Sequence, residues 1–193
     1  MIPPNLCRLR WRLAALALAA LAGSGGANQL MIADRSEVAY VAAQMGVQVE
    51  GNFARFDAQV DLDPGRLQTS SVSFSVDTSS VIFPAPDVQR ELAKPEWFDT
   101  AHFPKAEFRS KSIRAVGSGR YEIAGTLTIK GHAREVAVPV TLTRSGDTTF
   151  ATGTLKIKRL DYGVGEGDWR DTSLIEDEVQ IRFKVALSGM APG

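Results

Sequence analysis

Strict alternation of apolar and polar residues recurs along this chain, and it restricts the fold more than any other feature. Phe56, Ala58, Val60 and Leu62 alternate with Asp57, Gln59, Asp61 and Asp63. Val72, Phe74 and Val76 alternate with serines and Asp77, and Tyr121, Ile123, Leu127 and Ile129 with Glu122, Thr126, Thr128 and Lys130. The same pattern covers Val136, Val138, Val140 and Leu142, and again Val179, Ile181, Phe183, Val185 and Leu187. Successive side chains on a strand point to opposite faces, so each run has one dry face and one wet face. Weaker alternation over 37–45, 105–113 and 149–158 brings the expected total to eight strands.

Turn-forming clusters separate the runs: Asp63-Pro64-Gly65, Gly117-Ser118-Gly119, Lys130-Gly131-His132 and Ser145-Gly146-Asp147. The gaps beyond residue 105 are short, which makes neighbouring strands antiparallel hairpins. One stretch differs. Asp87 to Lys94, with Val88 and Leu92 at i, i+4 and Pro95 behind it, reads as a short helix. Antiparallel strands with one apolar face each bury it in a sandwich or in a closed barrel, and a barrel also removes the exposed edges.

The first 22 residues read separately. Arg8, Arg10 and Arg12 precede the apolar run Leu13 to Ala22, and Ala20 and Ala22 make an A-x-A site. This is the anatomy of a cleavable secretory signal peptide, with a second small-residue cut after Ala27. The run is half the length of about 20 residues that a bilayer span needs. The expected layout is therefore a signal peptide at 1–22, a linker at 23–36, one barrel at 37–188 and a tail at 189–193, with a periplasmic location. Cleavage removes three of the 22 basic residues, none of the 22 acidic ones and the only cysteine, Cys7, leaving a net charge of −3. Neither a disulfide nor a thiolate metal site is then available, and the charge balance calls for no nucleic acid.

Three motifs resemble those of the YceI-like family. They are Trp97-Phe98-Asp99-Thr100-Ala101-His102-Phe103-Pro104-Lys105-Ala106-Glu107-Phe108, Tyr121-Glu122-Ile123-Ala124-Gly125-Thr126-Leu127-Thr128-Ile129-Lys130-Gly131, and Ile157-Lys158-Arg159-Leu160-Asp161-Tyr162-Gly163-Val164-Gly165 followed by Asp177-Glu178-Val179. Gly51-x-Phe53 and Asp77-x-x-Ser80 fit as well, so the resemblance spans 37–188. It implies an all-β fold, a single eight-stranded antiparallel lipocalin-like β-barrel with one short helix. It also implies a periplasmic protein that holds a polyisoprenoid, an isoprenoid quinone or a similar long-chain amphiphile, with a membrane cytochrome b561-type protein as a conceivable partner. Two departures stand out: the Pro-rich segment Ile82-Phe83-Pro84-Ala85-Pro86 before the helix, and His132 in a turn.

Reactive groups are scarce. His102 and His132 have no H-x-x-x-H partner and no cysteine beside them, so neither a catalytic site nor a metal site is expected. No G-x-S-x-G elbow occurs. Gly163-Val164-Gly165-Glu166-Gly167-Asp168 lacks the G-x-G-x-x-G spacing and the following helix of a phosphate loop, and reads as a mobile loop at one end of the barrel. Asp57, Asp61, Asp77, Glu107, Glu122 and Glu135 fall on the wet faces. No catalytic residue and no cofactor follow from these observations.

The dry faces carry the binding expectation. Phe74, Val76, Phe108, Leu127, Ile129, Ile181 and Phe183 should point inward, with Trp97 and Phe98 closing one end. Ala58, Ala106, Gly125 and Gly153 share those faces and should leave volume unfilled. Arg159 and Arg170 are the candidates for a charged head group. The rival expectation is a fully packed barrel that serves as a protein-interaction module, and inward residue size separates the two.

Overall fold

The computed structural model describes residues 29–83 and 85–190. The signal peptide expected at 1–22, and its alternative cut at 27, lie outside the described residues. The fold is all-β and barrel-like: one antiparallel sheet in the order β4-β5-β7-β8-β9-β10-β11-β2-β3-β6, with β1 paired to β11. The strands are β1 (Leu30–Met31), β2 (Glu37–Gln44), β3 (Val47–Phe53), β4 (Phe56–Asp61), β5 (Ser71–Asp77), β6 (Val81–Ile82), β7 (Lys105–Gly117), β8 (Arg120–Ile129), β9 (His132–Ser145), β10 (Thr148–Lys158) and β11 (Glu178–Ser188). The one α-helix among the described residues, α1, is Pro86–Leu92, with proline in the first turn, where no backbone N–H is needed.

Among the described residues, eleven strands replace the expected eight. β1 and β6 are two residues each, too short for any periodicity. β3 carries a legible alternation, Val47, Val49 and Phe53 against Gln48, Glu50 and Asn52, but Gly51 interrupts it. β3 and β4 are two halves of one bent run. Phe53 pairs with Val81 and Phe56 with Val76, and between them Ala54 N–H donates to Ser80 O at 3.0 Å and Asp77 N–H to Arg55 O at 2.9 Å. The two ends of the strand order thus meet in consecutive residues, which wraps the sheet around an interior.

The segment expected as a linker, 23–36, is built into the wall from Gln29 onward. Gln29 bridges Val60 and accepts from Leu62 N–H through its side-chain oxygen at 2.8 Å, while Leu30 and Met31 pair with Ser188 and Leu187. Two residues are too few to display a period, so this strand was invisible in the sequence. In the expected tail, Met190 packs against the core.

Register places the connections. Gln44 opposite Val47, Asp77 opposite Lys105, Ile129 opposite His132 and Lys158 opposite Glu178 bring the β2–β3 turn, the 78–104 segment with α1, the β8–β9 turn and the 159–177 segment to one end. At the opposite end Leu62, Val185 and Leu187 anchor a buried cluster. A second cluster, with Trp97, Leu127, Ile129, Tyr162 and Val164, sits under the long segments.

Candidate functional site

Between the two clusters lies a cavity of about 340 Å³. Small-molecule pockets run from about 300 to 1,000 Å³, so this one is of ligand size. Its wall takes alternate residues from successive strands: Val38, Tyr40 and Ala42 of β2, Val49 and Phe53 of β3, Leu155 and Ile157 of β10, and Val179 to Val185 of β11. All nine residues expected inward or at the closing end line it: Phe74, Val76, Trp97, Phe98, Phe108, Leu127, Ile129, Ile181 and Phe183. Val49 and Phe53 were missed because β3 was, and Tyr40 because the alternation of β2 is weak. The exposed residues Gln44 and Val88 also line the cavity, which sets its mouth between the β2–β3 turn and α1.

The glycines expected to leave holes do something else. A Cβ on Gly125 would lie 2.7 Å from Phe108 Cζ and 2.3 Å from Arg109 O; on Gly153, 2.3 Å from Phe183 Cζ and 2.4 Å from Pro139 O. Gly51 meets Tyr40 in the same way, its Cβ position being 2.4 Å from the hydroxyl. Each aromatic ring therefore lies over a glycine of a neighbouring strand. The rings occupy the wall instead of crossing the lumen, and that keeps the centre open.

Burial pushes the Tyr40 hydroxyl up to about 12. The Tyr40 hydroxyl and Trp97 Nε1 are the two buried side-chain polar atoms without a hydrogen-bond partner among the described residues. Leaving such a group unpaired costs about 1–3 kcal/mol each, a cost this apolar wall bears.

The covering segments are tied down, contrary to the expectation of a mobile glycine loop. Arg159 is 3% exposed, and its guanidinium donates to five backbone carbonyls: Nε to Glu176, one terminal nitrogen to Val164 and Gly165, the other to Trp169 and Ile175, at 2.7–3.1 Å. Gly165 has φ +79°, and a Cβ there would sit 2.3 Å from that guanidinium, so both conformation and space demand glycine. Gly165 and Glu166 N–H both donate to Glu96 O at 2.8 Å, and Trp97 packs on Trp169 with centroids 5.5 Å apart. Lys130 Nζ donates to Gly163 O at 2.6 Å and pairs with Glu166 at 2.8 Å, which holds the Glu166 carboxyl below the usual glutamate range.

This corrects both head-group candidates. Arg159 lines the cavity, yet all five of its N–H groups are taken by carbonyls, and guanidinium has no sixth. Arg170 is exposed and lies outside the cavity lining. Of the acids expected on the wet faces, Glu135 pairs with Lys111 and Glu122 with Arg114 across strands, and Asp77 pairs with Arg55; Glu107, expected to face solvent, pairs with Arg109 and also lines the cavity. His102 is 74% exposed and bonds Asp99 through Nδ1 at 2.9 Å; His132 is exposed at the start of β9. Among the described residues no three His, Cys, Asp or Glu side chains are grouped to hold a metal ion, and no helix is long and apolar enough to cross a membrane.

A family model described as the YceI-like domain matches residues 31–187. This chain belongs to the YceI-like family. Among solved structures, BcnA of Burkholderia cenocepacia superposes with a TM-score of 0.78 at 39% identity, over 81% of this chain and 98% of that one. A polyisoprenoid binding domain from Saccharophagus degradans superposes at 0.69 with 16% identity, over 86% and 100%, a likeness of fold. A UPF0312 protein of Azotobacter vinelandii is 26% identical over 172 residues, 81% of this chain and 88% of the relative. The fold of this chain is thus shared with these relatives, while the glycine–aromatic pairs and the arginine cage described above are read from its own residues.

Proposed function

We propose that this protein carries or stores a long apolar molecule, a polyisoprenoid or isoprenoid quinone, inside its barrel, with no chemistry of its own. The observation that carries the reading is the cavity of about 340 Å³ walled by aliphatic and aromatic side chains. Transfer of apolar surface out of water favours binding by about 25 cal/mol per Å², and a hydrocarbon chain asks for no polar partner. The structural neighbour from Saccharophagus degradans is itself a polyisoprenoid binding domain, which supports the same cargo class.

Among the lining residues Arg159 is the only cation, and its donors are spent. The wall therefore offers no free positive charge to a phosphate or carboxylate, which favours a neutral head group at the mouth. The rival reading, a packed protein-interaction module, requires a filled interior, and the cavity speaks against it.

The leader sequence supports export to the periplasm. Protein recovered from that compartment should begin near Gly23 or Asn28; an intact mass that still includes Arg8 to Arg12 refutes export. The decisive test of the cargo is organic extraction of the purified protein followed by mass spectrometry. A prenyl lipid in stoichiometric amount is expected. A clean extract, together with no gain in thermal stability on adding solanesol, refutes the carrier reading.

A further inference from the structure

The mouth of the cavity is rimmed by apolar side chains held out into water. Of the seven exposed large hydrophobics among the described residues, four stand at this end: Met45 at 72% exposed, Val47 at 65%, Leu174 at 42% and Val88 at 38%. They are physically connected. Met45 N–H donates to Leu174 O at 2.8 Å, Gln44 bridges Ile175, and Val47 pairs with Gln44. Val88, Gln44 and Ile175 line the cavity, so the rim is continuous with the cavity wall. Val47 has the parity of Val49 and Phe53, which face the lumen, but it extends past the wall.

We infer that this rim docks on the surface of a lipid bilayer, with the cavity mouth against the membrane. The inference rests on the carrier reading for its purpose: a cargo that dissolves in membranes must cross from bilayer to cavity with little exposure to water. It rests on the rim for its chemistry. The two rim segments, 44–48 and 172–175, contain no charged residue. The charges of α1 and its C-terminal flank are neutralised locally, Asp87 by Arg90 and Glu91 by Lys94. Neither rim segment carries a cation to seek anionic lipid, so the docking is apolar and indifferent to headgroup charge. A protein partner fits less well. The apolar groups are side chains at separate loop tips around an opening, and a deformable lipid surface accommodates such tips where a rigid face needs a contiguous patch.

The test is flotation with phosphatidylcholine vesicles, using the full mature chain and a Val47→Glu, Leu174→Glu variant. Neither residue lines the cavity, and loading with solanesol from detergent checks that the variant is folded. The wild type should float, and adding phosphatidylglycerol should not increase its binding. The variant should bind at least about tenfold more weakly and take up solanesol more slowly from vesicles, with uptake from detergent unchanged. Equal flotation of wild type and variant overturns the docking and leaves the rim to a protein partner. A wild type that loads from detergent but does not float overturns the docking alone. One that floats but does not load refutes the carrier reading and leaves the docking standing.

Discussion

Arg159→Lys separates two roles that a buried cation beside a cavity can play. Lysine keeps the charge but has three N–H donors where arginine has five. Two of the five carbonyls now served by the guanidinium, those of Val164, Gly165, Trp169, Ile175 and Glu176, would lose their donor. Each unserved buried carbonyl costs about 1–3 kcal/mol. The lower half of that range applies to each, because a carbonyl near the mouth gains partial access to water, and the loss for the two is therefore about 2–4 kcal/mol. For a domain of this size each kcal/mol moves the midpoint by about 2–4 °C, so thermal unfolding of the apo protein should fall by about 4–16 °C. Solanesol should still bind the folded variant, since Arg159 has no donor left for cargo. An unchanged melting temperature with sharply weakened solanesol binding would refute this reasoning and restore Arg159 as a head-group ligand.

Three further outcomes follow from the same geometry. Gly153→Ala should push Phe183 into the lumen and cost about 1–3 kcal/mol, read as a lower urea midpoint together with less solanesol bound per mole; unchanged loading would show that the ring is not held on the wall by this glycine. Phe108→Ala should cost the apo protein about 2 kcal/mol, below the about 3–5 kcal/mol of a fully packed phenylalanine, and cost the solanesol-loaded protein more; Lys111→Ala, on the outer face, should stay within about 0.5 kcal/mol, and equal loss in the apo and loaded forms of Phe108→Ala would count against cargo contact. Glu166 has a folded pKa lowered chiefly by the Lys130 hydrogen bond, so its stabilisation is complete above the unfolded glutamate pKa and is lost as pH falls through the folded value; the stability gap between wild type and Glu166→Gln should be widest near neutrality and close in acid, and a pH-independent gap would sink the assignment.

Much of the wall was legible because alternation is a property of single strands. Each long strand announced its inner face in its own residues, and the nine inward or end-closing candidates all reached the cavity lining. What escaped notice depends on more than one strand. The bend at Ala54–Arg55 that joins β3 to β4 is made by pairing with Ser80 and Asp77, about 25 residues away in sequence, and no local period records it. The role of Arg159 escaped for a similar reason. In Ile157-Lys158-Arg159-Leu160 it follows a lysine at a strand end, where a cation is ordinarily solvated, and only the return of 164–176 around it makes five carbonyl partners.

The hardest step from sequence was from an apolar interior to an empty one. The same alternation suits a packed core and a ligand cavity, and a small barrel is just wide enough for either. In the sequence, small inward residues are therefore the visible source of free volume. The structure assigns that volume differently. Gly51, Gly125 and Gly153 are each covered by an aromatic ring from an adjacent strand, so deleting a side chain at one position relocates a large one at the next. Packing an aromatic ring against the glycine of a neighbouring strand takes up the space a side chain there would fill and holds the ring in the wall. An inventory of inward residues counts those three rings as core filling, and their registers against the glycines turn them into wall. That pairing, Tyr40 with Gly51, Phe183 with Gly153 and Phe108 beside Gly125, is what tips a barrel of this width from packed to hollow.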